Sequence, residues 1–457
     1  MSSVVTSGVV IVGGGISGLS ALHWLARSGA DVTLLERREE SGGVIRSSRD
    51  EMGALVELGP NSFQMKEPAL EELVGDLGLG GELVEANSAA RRRYIVRNGV
   101  PVAAPMSLAQ ALGGRLFSRT ALLRLLREPF IKPLSADVQD ESVASFVERR
   151  LGREMLDYGI NPFVSGVYAG RPERLSIRHA FPRLEALERE HGSLLRGSIA
   201  SGRKRAAERK SRGETKRPRA PLVSFQDGMQ TLPRAIEKRW AKHIRMGIAA
   251  ERIERRGERW IVHTSGGCFE SARLILAVEA YTASDLLRDV DERISEALAS
   301  IEYPPVTTVV SIYDRTFVAH PLDGFGMLVP EVEKRNILGV IFSSTLFPNR
   351  APDGMVALTT FIGGDRQPEI ARASHEELER LVQIEHEQLL GISAPPAVVS
   401  IHRWERAIPQ YTVGYGAIID EIERGERENR GLTLMGNYRG GVSVGDRVRE
   451  GREVGEV

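Results

Sequence analysis

Near its start the chain runs through four consecutive apolar residues, Val9 to Val12, into glycines at 13, 14, 15 and 18. A continuous β-branched run of this length reads as a strand buried on both faces, as in parallel sheets. Leu19, Leu22, Leu25 and Ala26 then recur at helical spacing until Gly29, a natural C-terminal stop, and "DVTLLE" (31–36) is the next strand. The pattern is a β-α-β unit with Gly13-x-Gly15-x-x-Gly18 on its first strand-to-helix turn. The first glycine permits the tight turn, the second lets a pyrophosphate approach the backbone, and the third lets the helix pack closely on the sheet. Free N–H groups and the partial positive charge of the helix N-terminus complete an anion site. Glu36 follows about 20 residues after the glycines, where a carboxylate accepts ribose hydroxyls. The chain is thereby committed to a Rossmann-like, dinucleotide-binding opening, for FAD or NAD.

At 457 residues and 42% hydrophobic content there is material for two or three domains or one large interleaved fold. Lys plus Arg and Asp plus Glu each count 61, so global charge gives no reason to expect nucleic acid. The single Cys268 excludes an internal disulfide and leaves no zinc pattern, and no metal is expected. The first strand begins by residue 8, which leaves no room for a secretory leader, and no apolar run reaches the ~18 residues of a membrane span. The cytoplasm is the expected location.

Farther along, "RRYIVRNGVPVAAP" reads as a hairpin turning at Asn98-Gly99, and residues 106–160 read as mostly helical. Between 203 and 219 nine basic residues face two acidic ones, which reads as a solvated, flexible loop over 201–220. Strand patterns dominate 305–364, and Ser374 with Glu377 forms a capping box ahead of a long helix. "LTLMGNYRGGVSVGD" (432–446) reads as a late strand, a second glycine cluster and a helix start near Val444. No Ser/His/Asp triad stands out, and none of the nine histidines sits in a pattern that demands catalysis.

Gly42-Gly43 after the acidic strand, together with "GPNSFQ", "RRYIVRNG", "NPFVSGVYAGRPERLSIRHAFPRL", "FPNRAPDG", "TTFIGG" and "IPQYTVGY", resembles the oxygen-dependent protoporphyrinogen oxidase family of amine-oxidase-like flavoproteins. The resemblance runs from about residue 8 to residue 447. It implies an α/β + α fold: a discontinuous Rossmann-like FAD-binding domain (1–65, 221–295, 405–457), a mixed-sheet substrate domain (66–100, 296–404), and a helical, membrane-associated domain (101–200).

The resemblance also implies roles for particular residues. FAD would lie along Gly13, Gly14, Gly15, Ile16, Ser17 and Gly18, with Glu36 at the ribose and Arg37 also in contact with the cofactor. Gly42, Gly43, Gly59, Pro60, Asn61, Ser62, Ala250, Trp404, Gly436, Asn437, Val442, Ser443 and Val444 would complete its site. A porphyrinogen needs an apolar slot and a cation for a propionate. Arg93 matches the carboxylate-binding arginine, with adjacent Arg91 and Arg92 leaving its register open. Leu328, Ile341 and Phe361 match apolar residues that sandwich a pyrrole ring, and Gly166 in "SGVYAG" brings backbone near it. The implied activity is six-electron oxidation of protoporphyrinogen IX by dioxygen, with hydrogen peroxide released. Alternatives are coproporphyrinogen III as substrate, or a non-catalytic flavin- or haem-binding protein. Ferrochelatase as recipient of the product and a homodimer belong to the same expectation. "RLFSRTALLRLLREPFIK" (115–132) mixes Leu116, Phe117, Leu122, Leu123, Leu126 and Phe130 with basic residues, which suits the surface of an anionic bilayer. The last segment, "RVREGREVGEV", is charged and predicts a short closing helix.

Overall fold

The computed structural model describes residues 4–134, 140–211 and 220–456. Its opening strand, Val4–Val12, lies inside a seven-stranded sheet and pairs in parallel with Val32–Leu35 on one side and Gly267–Leu276 on the other. Val10 and Ile11 are fully buried, as the unbroken apolar run predicts. Gly267–Leu276 divides its next edge. Its first half pairs with Arg259–Thr264 of a hairpin, and its last three residues pair in parallel with Leu432–Leu434. The late strand thus returns the chain to the sheet that the first strand opened.

The helix Ile16–Arg27 covers this sheet and packs against the closing helix Val444–Gly455. That closing helix is charged yet not short: it runs 12 residues. Gly451 and Gly455 bring its backbone against Ser20 and Trp24, where an added Cβ would stand 2.5 Å from either neighbour's Cβ. Its charged Arg447 is 3% exposed and paired with Glu450, so the helix has a buried polar face that composition alone does not reveal.

A second seven-stranded sheet runs in the order Val398–Trp404, Val306–Asp314, Met355–Gly363, Gly339–Phe342, Gly324–Leu328, Arg92–Arg97, Val100–Ala103. Only the contact between Gly324–Leu328 and Arg92–Arg97 is parallel. Asn98 and Gly99 carry the positive φ (52° and 74°) that a two-residue hairpin turn requires. On one face of this sheet Tyr94, Val96, Val309, Met327, Val340, Leu358 and Ile362 meet Leu378, Val382 and Leu389 of the helix His375–Leu390. The capping box of Ser374 and Glu377 opens that helix as the sequence predicts.

Two readings are corrected. The segment 66–100 does not travel as one piece, because Pro68–Asp76 buries Leu70 and Leu73 in the core of the first sheet with Leu19 and Leu22. Only its later part enters the second sheet. The basic segment is not all loop, since Leu194–Ser211 is helical; the remainder, 212–219, lies outside the described residues. Ala, Lys, Arg and Glu are strong helix formers, and charged side chains stay solvated on a helix as well as on a loop.

Candidate active site

The glycine turn adopts the geometry its spacing demands. Gly13 has φ 109°, and a Cβ there would stand 2.4 Å from the Ala277 carbonyl oxygen; one at Gly18 would stand 2.0 Å from that of Gly13. Gly15 has open space beside it and forms a bridge with Gly42, whose N–H donates to the Gly14 carbonyl at 2.8 Å. Glu36 is 7% exposed and accepts the Gly14 N–H at 2.6 Å and the Arg38 N–H at 2.9 Å, one on each carboxylate oxygen.

These elements line a cavity of about 670 Å³. Of the expected cofactor residues, Gly13, Gly15, Ile16, Ser17, Glu36, Arg37, Gly42, Gly43, Pro60, Ala250, Trp404, Gly436, Asn437, Val442 and Val444 stand on its wall. Gly14, Gly18, Gly59, Asn61, Ser62 and Ser443 do not. Most of these support the wall from behind. Gly14 orients Glu36, and Gly18 packs on the turn. Gly59 lies so near Val44 that a Cβ would stand 1.9 Å from its carbonyl oxygen, and Asn61 donates to the Gly59 carbonyl at 3.2 Å. Ser443 caps the closing helix by accepting the Asp446 N–H at 3.1 Å. Sequence reading missed Ala277, Val278 and Glu279, although the carboxyl end of a parallel strand is where such ligands sit. It also missed His402 and Arg447.

Hydrogen bonds to its carbonyl groups hold the second glycine loop. Arg447 donates to the carbonyls of Gly436 and Arg439 and pairs with Glu450. Tyr411 and Tyr415 of "IPQYTVGY" donate to the carbonyls of Asn437 (2.5 Å) and Tyr438 (2.7 Å). Burial drives both phenols well above the ordinary tyrosine range, so they remain donors at neutral pH. The quoted blocks also touch one another. Gln410 donates to the Tyr168 carbonyl at 2.8 Å, and Asp365 N–H, after "TTFIGG", donates to the Ala169 carbonyl at 2.7 Å.

The other face of the second sheet meets this cavity. Cross-strand pairing sets His402, Thr308, Phe361, Gly339 and Leu328 in one row. Thr359, Ile341, Gly326 and Arg93 fall in the next row on the same face. Leu328, Ile341 and Phe361 are half-buried, unlike the fully buried side chains beneath the covering helix. Gly166, on the helix Asn161–Tyr168, faces Leu328, and the Arg93 guanidinium lies 5.0 Å over the Phe325 ring. None of these substrate candidates lines the 670 Å³ cavity itself. His402 and Trp404, at the near edge of the face, do.

The wall fits a dinucleotide. It presents an open helix N-terminus, a carboxylate at the end of the second strand and a glycine cradle that side chains would fill. It also holds two buried nitrogens without hydrogen-bond partners among the described residues, Arg447 Nε and His402 Nε2.

Comparison with known proteins agrees with this geometry. Residues 16–454 match the family model of flavin containing amine oxidoreductases. Protoporphyrinogen oxidase 2, chloroplastic/mitochondrial, of Arabidopsis thaliana is 33% identical over 480 residues, covering 98% of this chain and 93% of the relative. Protoporphyrinogen oxidase of Homo sapiens is 31% identical, with 97% of each covered. A crystal structure from Exiguobacterium sp. 255-15, named as a candidate protoporphyrinogen oxidase, superposes with a TM-score of 0.81 at 25% identity over 98% of both chains.

Proposed function

The chain belongs to the flavin containing amine oxidoreductases and, among them, to the protoporphyrinogen oxidases, and from that membership we propose that it oxidises protoporphyrinogen IX to protoporphyrin IX. Its cofactor is FAD, which when bound supplies the hydride acceptor and passes electrons on to dioxygen. Gly13, Gly15 and Ser17 would hold the pyrophosphate and Glu36 the ribose, and Gly436, Asn437 and Val442 line the same cavity.

The observation that carries the substrate assignment is the register of the second sheet. It supports a single face that carries Leu328, Ile341 and Phe361 with Thr308 and Thr359 among them, bounded by Arg93 at one edge and by the cavity wall at His402 and Trp404 on the other. On this reading Leu328, Ile341 and Phe361 grip a pyrrole ring, Gly166 leaves room beside it, and Arg93 receives a propionate. The test is to purify the protein, record its flavin spectrum and follow porphyrin fluorescence in air from protoporphyrinogen IX and coproporphyrinogen III in parallel. Faster turnover of the latter would overturn the substrate assignment.

We also propose peripheral attachment to the cytoplasmic face of a membrane. No helix among the described residues is long and apolar enough to cross one. The 115–132 segment is sorted by the fold: Leu116 and Leu122 are buried, whereas Leu123, Leu126 and Phe130 are 62%, 68% and 81% exposed among arginines. Arg196 of the neighbouring helix lies over Phe130, and Leu195 and Ile199 of that helix are also exposed. Apolar side chains ringed by cations fit an anionic bilayer surface.

A further inference from the structure

His402 occupies the place where the cofactor cavity and the substrate face meet. It lines the cavity, and along its row of the sheet it is separated from Phe361 only by Thr308. Strand spacing sets His402 and Phe361 about 10 Å apart, within the span of one tetrapyrrole. Its ring meets Trp404 edge to face at 4.4 Å, and the Trp404 indole is fixed by donating to the Leu58 carbonyl at 2.8 Å. His402 Nε2 is buried without a hydrogen-bond partner among the described residues.

The assigned reaction requires a proton acceptor. Each two-electron step removes a hydride from carbon and a proton from the porphyrinogen. Of the other side chains on these two rows, Thr308, Thr359, Arg93 and Ser400, which pairs with Val310 beside Thr359, are the polar ones, and none is a base at neutral pH. Burial, and then Arg46 and Arg38, push the His402 imidazole below the ordinary histidine range, so it stands neutral and able to accept. The charged groups acting on it are those two arginines, both from the segment after the second strand.

We propose that His402 is a catalytic base of this oxidation, its imidazole taking the proton that the porphyrinogen releases in each round, from a pyrrole N–H in two rounds and from the fourth meso carbon, through imine–enamine tautomerisation, in the third. In each round that N–H or C–H bond breaks, an imidazole N–H bond forms, and a meso C–H electron pair leaves with its hydrogen as hydride. Dioxygen finally takes that hydride equivalent and the proton, which together make hydrogen peroxide. The assignment rests on the porphyrinogen reading above.

The test uses the full-length holoenzyme and two variants, His402→Ala and His402→Gln. FAD content and absorption spectrum are measured first, then the rate at which protoporphyrinogen IX bleaches the bound flavin without oxygen, from about pH 5 to 9. The expected result is wild-type FAD content in both variants, a rate lower by roughly 10²–10⁴-fold, and loss of the acidic limb of the pH profile. Free imidazole restores part of the rate to His402→Ala. A rate and profile unchanged in His402→Gln, or loss of FAD from both variants, would overturn the role. If wild-type flavin is bleached by no porphyrinogen, the substrate reading falls instead, and the two failures are distinct.

Discussion

Gly451 and Ser20 meet where no side chain fits between them: a Cβ at 451 would stand 2.5 Å from Ser20 Cβ and 2.8 Å from the Ala21 backbone nitrogen. The obstacles are Ser20 Cβ, fixed directly to the helix, and the Ala21 amide, neither of which can rotate away. Gly451→Val is therefore expected to cost about 1–3 kcal/mol through overpacking, and to loosen the loop 436–442 that the closing helix anchors. Denaturant titration and flavin retention on gel filtration check this. Removing the last ~20 residues is expected to abolish flavin binding altogether, because the removed segment includes Val442, Val444 and Arg447 of the wall.

Arg93 is at the far edge of the substrate face from the cavity, so its loss bears on the porphyrinogen and not on FAD. Arg93→Ala is expected to raise KM for protoporphyrinogen by about tenfold or more, the worth of a charge-assisted hydrogen bond, with FAD content unchanged. Arg93→Lys restores only part, since an ammonium lacks the planar fork. Steady-state kinetics with unaltered KM in the alanine variant would remove Arg93 from the site.

Gly166 separates stability from function. It lies in the helix Asn161–Tyr168, and a Cβ there would stand 2.7 Å from Leu328 Cδ2, the far end of a flexible side chain. Alanine in a helix gains up to about 1 kcal/mol over glycine, so Gly166→Ala is expected to melt no lower than wild type. Its methyl group and the displaced Leu328 nevertheless intrude on the proposed ring slot. A raised KM at unchanged or higher melting temperature is the expected signature; a raised KM with a lowered melting temperature would mean general damage.

These positions also mark how far the sequence could be read. The β-α-β opening, the Asn98-Gly99 hairpin and the Ser374 capping box were legible because each is local: a turn or cap is specified within a few residues by φ preference or by one side chain reaching one amide. Which strand lies beside Val4–Val12 is not local. Its partner Gly267–Leu276 carries no mark of that pairing, and Leu432–Leu434 is too short to show a period. The cavity residues that no local pattern marks share this cause. His402 is one of nine histidines until pairing sets it beside Thr308, and Arg447 reads as a solvated charge until Gly451 and Gly455 draw its helix inward. Charge runs misled in both directions, hiding a helix at 194–211 and a buried ion pair at 447 and 450.

Glu450 makes stability depend on pH. Burial drives its carboxyl up to about 7, against the pull of Arg447 and Arg439. Between the unfolded value of about 4.5 and 7 the folded state holds a proton that the unfolded state has released, so stability falls as pH rises through that window. Glu450→Gln is expected to flatten this slope. Denaturant midpoints of the two proteins at about pH 5 and pH 8 check it, and parallel slopes would show that Glu450 titrates normally.

Membrane attachment is expected to depend on Leu126 and Phe130 together with the cations around them. Burying either side chain in the acyl boundary contributes about 1.5–3 kcal/mol, and each nearby basic residue about 1 kcal/mol on an anionic surface. Replacing both with serine should weaken binding to vesicles rich in phosphatidylglycerol at least ~100-fold, with FAD content and turnover of detergent-dispersed substrate preserved. Arg119→Gln with Arg127→Gln should weaken it less and reduce its dependence on salt, because those side chains act through charge. Co-sedimentation across a salt series distinguishes the two contributions. Wild-type protein that stays in the supernatant with anionic vesicles at low salt would show that Leu126 and Phe130 meet something other than a bilayer.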